Sequence, residues 1–165
     1  MFPKLVQVSE AQYTPQVTVE GKGYVTVDIA RNPRATNLYW QLVDPVFSLL
    51  EVGFEWPSGR LISFAVPLFK GEMEDQQTQP LPQATVGTPF FDLSPWSVDA
   101  GNPAARGNHL KQSGRIRLLK KQNGLSIICK DGPALRSVAY GGNLVCDFGG
   151  GDELMALGLV GNFPV

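Results

Sequence analysis

One histidine, His109, and two cysteines, Cys129 and Cys146, are the whole supply of the side chains that most often run chemistry near neutral pH in this chain of 165 residues. His109 follows Arg106-Gly107-Asn108, and the acids that could orient it are Asp99 and Asp131. No serine sits in a G-x-S-x-G elbow, and Pro57-Ser58-Gly59 reads as a turn. Glu51 and Glu55 share one face of a strand, about 13 Å apart at ~3.3 Å per residue, too far for a glycosidase pair. Glu72, Glu74 and Asp75 are an acidic cluster without the spaced carbonyls and glycine of a calcium loop, which suits a partner-facing patch. Gly149-Gly150-Gly151 precedes Asp152 and Glu153, which would repel a phosphate, so it reads as a turn. We assign no catalytic residue, no metal ligands and no cofactor.

Two sets remain that could bind rather than react. Arg117, Lys121 and Lys130 fall on one face of a hairpin, the form of a patch that tracks phosphates, but no aromatic lies between Trp96 and Tyr140 to stack on bases. Trp56 and Arg60 flank a turn, where a stacked pair would anchor a protein partner.

The elements that must position these residues are mostly strands. Leu50, Val52, Phe54 and Trp56 alternate with polar residues and glycine, and Pro57-Ser58-Gly59 closes a hairpin to 60–66. That loop pairs Trp56 with Arg60, Phe54 with Ile62, Val52 with Phe64 and Leu50 with Val66. The opposite face then takes Glu55/Leu61, Gly53/Ser63 and Glu51/Ala65. Asn123-Gly124 marks a second hairpin over 115–130. Further strands are expected at 16–19, 23–30 and in a closing meander over 144–160, with a turn at Gly141-Gly142. Two short helices are expected, one capped by Thr36-Asn37 over Leu38 to Val43 and one at Pro133–Val138. Stretches 71–82 and 97–113 read as loops, and Thr88–Trp96 as an extended aromatic segment on the core. The fold class is mainly β, or α+β with those two helices, as antiparallel hairpins and meanders in a sandwich or open barrel. One domain spans 1–165. Its alternative is a pair of β-rich halves, 1–70 and 86–165, joined by the acidic loop 71–85, with 50–66 faintly echoed in 144–160.

Net charge is −1, with the acids concentrated before residue 104 and the bases after it. No strong overall field draws the protein to nucleic acid or an anionic membrane. The N-terminus lacks the pattern of a secretion signal, and no run approaches the ~18 apolar residues of a membrane span. A cytoplasmic protein with two buried thiols is expected.

The β-rich halves, the Trp56-Pro57-Ser58-Gly59-Arg60-Leu61 hairpin, the Thr88–Trp96 segment and the closing meander at 144–160 together resemble small immunity proteins of bacterial polymorphic-toxin and contact-dependent inhibition systems. The resemblance implies a cytosolic, non-enzymatic inhibitor that binds one cognate toxin domain. Its contact surface would be Glu72, Glu74 and Asp75, or Trp56 and Arg60. The alternatives are a carboxylate-dependent enzyme or small-ligand-binding β-barrel, and a nucleic-acid module using the hairpin at 115–130.

Overall fold

The alternating residues become strands in a computed structural model that describes residues 1–10, 13–20, 24–29, 34–75, 83–96 and 108–163. In chain order the first strands are β1 (Leu5–Ser9), β2 (Gln16–Glu20), β3 (Tyr24–Asp28), β4 (Thr36–Val43) and β5 (Leu49–Trp56). They continue as β6 (Leu61–Leu68), β7 (Glu74–Asp75), β8 (Ala84–Val86), β9 (Thr88–Phe91) and β10 (His109–Ser113). The last are β11 (Arg117–Lys121), β12 (Gly124–Ile128), β13 (Arg136–Tyr140), β14 (Leu144–Phe148) and β15 (Leu154–Val160). A 3-10 turn, Ser94–Trp96, follows β9.

Neither expected helix forms. Leu38, Trp40 and Leu42 are fully buried while their neighbours are only partly so, which is a period of two, and β4 is hydrogen-bonded along its length to β5. Pro133–Val138 instead leads into β13, which pairs with β14. The expected loop at 97–113 ends in β10, a parallel neighbour of β4, while 97–107 lie outside the described residues. The expected strand residues Gly23 and Ala30 lie outside them too.

Three open sheets result, none closed into a barrel. A six-stranded sheet has the order β10-β4-β5-β6-β3-β2, a seven-stranded sheet β7-β11-β12-β15-β14-β13-β8, and β1 pairs with β9. The inner faces of the two large sheets share one core, with Trp40, Phe54, Phe64, Tyr140 and Phe148 among its largest buried side chains. Phe91 of β9 joins them, its ring centroid 4.9 Å from that of Phe54 in one sheet and 5.9 Å from that of Phe148 in the other.

The two large sheets repeat one topology. Strands β2–β6 lie in the order 4-5-6-3-2 and strands β11–β15 in the order 13-14-15-12-11. The match reaches single residues. A bulge interrupts β5–β6 just before Phe54 pairs with Leu61, and another interrupts β14–β15 just before Phe148 pairs with Leu154. At those bulges Ile29 N–H donates to the Ile62 carbonyl and Cys129 N–H to the Met155 carbonyl, each at 2.9 Å. Each hairpin turn holds a residue with positive φ, Gly59 (+76°) in one and Asp152 (+55°) in the other.

Each turn receives an arm from the other end of the chain. Phe91 N–H donates to the Gly59 carbonyl, and Leu5 N–H donates to the Asp152 carbonyl. Phe90 bridges Arg60, and Lys4 bridges Glu153. Pro3-Lys4-Leu5 and Pro89-Phe90-Phe91 are thus equivalent, and Leu5 and Phe91 pair with each other. The arm that precedes each five-strand run docks on the other run.

The bulge also alters the hairpin register. Val52/Phe64, Gly53/Ser63 and Glu51/Ala65 pair as the alternation requires, but Phe54 faces Leu61 rather than Ile62. Leu61 and Ile62 are both fully buried, so the extra residue costs no apolar exposure. In the second hairpin Lys121 pairs with Gly124, leaving Gln122-Asn123 as the two-residue turn.

Candidate functional site

The expected surfaces are distributed over three places. Arg60 is 6 % exposed, and its guanidinium is held by Glu55, with Nη2–Oε1 at 2.8 Å and Nε–Oε2 at 3.3 Å. Its Cζ lies 4.4 Å from the centroid of the Tyr13 ring. Burial disfavours the charge, but the hydrogen bonds and field of Glu55 outweigh it, so the arginine pKa is raised. Trp56 is half-buried and sits opposite Thr36. This end of the hairpin is an internal ion pair beside the Phe90 arm, with Arg60 Nη1 buried and without a hydrogen-bond partner among the described residues.

His109 stacks on Tyr39, with ring centroids 5.1 Å apart and planes 17° from parallel. Its Nε2 is 3.8 Å from Glu51, whose carboxylate also accepts the Gln41 side-chain amide at 2.7 Å. Glu51 and Glu55 therefore have separate partners. Asp99 lies outside the described residues, and Asp131 faces Arg117 at 3.3 Å instead of His109. Cys129 and Cys146 are buried free thiols. Burial pushes the Cys129 thiol up to about 12 and raises that of Cys146 as well, so neither is an available thiolate. Among the described residues no three His, Cys, Asp or Glu side chains gather to hold a metal ion, and no helix is long and apolar enough to cross a membrane.

The acidic cluster and the basic hairpin meet. Glu74 takes Arg117 in a two-pronged pair, Nη2–Oε2 at 2.6 Å and Nε–Oε1 at 2.8 Å, as β7 lies parallel to β11. The Arg117 hydrogen bonds hold the Glu74 carboxyl below its ordinary range. Lys130 is paired with Glu153, so two of the three hairpin cations, Arg117 and Lys130, are engaged by acids, leaving Lys121. Glu72 forms no ion pair among the described residues.

Beside Glu72 and Glu74 opens a groove of about 530 Å³, walled by Pro45, Val46, Phe69, Arg115 and Ile116. Its rim is the turn between β4 and β5, and Asp44 organises it. The two carboxylate oxygens of this buried residue accept Val46 N–H at 2.8 Å and Ile116 N–H at 2.9 Å. Ser48, also buried, accepts Lys70 N–H at 2.9 Å. The turn is thus fixed both to the segment after β6 and to the approach to β11. On it Phe47 is 76 % exposed with φ at +69°, a left-handed conformation that a bulky side chain rarely adopts, and Val46 beside it is 55 % exposed.

The equivalent corner of the other sheet is closed. There the turn is Gly141-Gly142-Asn143, and Pro15 packs so tightly on Gly141 that a side chain would meet its ring. Asn143 Nδ2 donates to the Pro15 carbonyl at 3.4 Å. Sequence reasoning singled out Glu72 and Glu74 as acidic and Arg115 as one of a basic set, but gave Asp44 and Phe47 no part in a surface. The length of the β4–β5 connection and its Asp-Pro step were the available signals. A comparison with protein-family models matches none, and a comparison with curated proteins gives no significant match.

Proposed function

We propose that this chain is a non-enzymatic, protein-binding inhibitor of the immunity-protein type that engages its target through the open corner. The observation that carries this reading is Phe47. An exposed aromatic ring in a strained conformation, clamped by a buried aspartate at the lip of an apolar groove, is a pre-organised anchor for a partner's pocket. Val46 and Phe69 extend the apolar surface, and the unpaired Glu72 supplies a negative rim that suits a basic target such as a nuclease domain. A cytoplasmic setting follows from that role.

The test is capture of the target from a lysate of the protein's own source with the tagged wild-type chain and with Phe47→Gly. Glycine accepts the positive φ, so the variant keeps the turn while losing the ring. The expected result is one protein retained stoichiometrically at high salt by the wild type, with affinity at least about tenfold weaker for Phe47→Gly. Glu72→Lys should weaken the same complex less and slow its formation. Equal retention by Phe47→Gly, or recovery only of nucleic acid that salt removes, overturns the proposal.

A further inference from the structure

The six-stranded sheet ends at β2, and among the described residues this edge differs from the other edges of the two large sheets. β7 is two residues long and wholly acidic, and β8 has three residues. β10 carries His109 and Lys111 exposed along its length. Such shortness and charge protect an edge from pairing with another chain. β2 has neither protection. It runs five residues, Gln16-Val17-Thr18-Val19-Glu20, pairs with β3 without a bulge, and bears one charge, at its end.

We propose that β2 is a homodimerisation edge, pairing antiparallel with β2 of a second copy about a two-fold axis through Thr18. The sequence is self-complementary in that register. Gln16 faces Glu20 in both directions, Val17 faces Val19, and no like charges oppose one another. Gln16, Thr18 and Glu20 are exposed on one face, whereas Val19 is buried and Val17 half-buried on the other, so the pair continues both faces of the sheet. The repeated topology supplies a second argument. β11, the counterpart of β2, has the same outer edge covered by β7, with Leu119 opposite Glu74 and Lys120 opposite Asp75. Among the described residues a strand covers this edge in one run and none covers it in the other. The surface is separate from the Phe47 groove, and the inference does not depend on the proposed target.

Light scattering on the full chain, from low micromolar to near-millimolar concentration, should show the mass rising from one copy to two. Amide hydrogen exchange within Gln16–Glu20 should slow in step. Thr18→Lys places two ammonium groups against each other across the axis and should leave a monomer at every concentration, with an unchanged circular dichroism spectrum. Lys111→Thr, at the opposite edge, should leave the dimer intact. A wild-type protein that stays monomeric over the whole range, or a dimer that Thr18→Lys does not dissociate, overturns the proposal.

Discussion

The two five-strand runs are alike where they face the core and different at their corners. Inside, Phe54 and Phe148 occupy matching bulged positions, as do Ile29 and Cys129. At one corner a two-glycine turn is sealed by Pro15, and at the other a longer turn lifts Phe47 beside a groove. Packing constraints act equally on both cores, because a buried methylene is costly to add or remove wherever it lies. They do not require an exposed phenylalanine. A departure from a repeated scaffold that spends stability without improving the core is therefore where a role beyond folding is to be sought.

Measurements at matched positions test this equivalence. The largest effect is expected from the paired arms. Phe91→Ala removes the ring that joins Phe54 to Phe148 and should cost about 3–5 kcal/mol in urea unfolding, whereas Leu5→Ala, its counterpart, should cost about 2–3 kcal/mol. A larger loss at Leu5 would reverse the assignment of Phe91 as the central contact. Next come the two left-handed turn residues, which should respond unequally. A Cβ at Gly59 would fall on the Phe91 carbonyl oxygen, so Gly59→Ala should destabilise by roughly 2–4 kcal/mol. Asp152 already tolerates its φ and is exposed, so Asp152→Gly should change stability by less than about 1 kcal/mol, measured by thermal unfolding. Equal losses at the two sites would break the equivalence of the turns.

The smallest effect concerns the strap on β11. Arg117 lowers the Glu74 carboxyl below its ordinary 4.5, so the attachment is fully present above that value and is lost as pH falls through the lowered one. Amide exchange at Leu119 and Lys120, corrected for the intrinsic rate, should become faster in acid, while exchange at β2 shows no matching change. Unaltered protection of β11 once Glu74 has been protonated would show that backbone pairing alone holds β7.

The β-rich class and the β5–β6 and β11–β12 hairpins were legible because turn residues and alternation agreed. The shift at Ile62 was not, since two adjacent apolar residues satisfy either register. Leu38, Tyr39, Leu42 and Val43 fit a helical spacing, while Leu38, Trp40 and Leu42 fit a strand, and only the neighbours β5 and β10 decide between them. The likeness of 50–66 to 144–160 was visible in outline. The match of Pro3 with Pro89 was not, because a three-residue arm carries too little pattern to stand out. Glu74 could be read as acidic, but the arginine that neutralises it lies 43 residues away and is found only when the sheet is assembled. Phe47 carried no periodic signal at all, since its exposure and backbone angle are properties of the folded turn.

The exchange of arms also bears on the order in which the protein can be completed during its synthesis. When β6 has left the ribosome, Arg60 still lacks the strand that will bridge it, and this arrives only with Phe90. The outer side of β4 waits longer, until His109–Ser113 emerge. The start of β15 finds its partner at once, because Pro3 and Lys4 were made first. The nascent first run is thus a sheet with an open side through much of elongation, and the second run closes as soon as it is made.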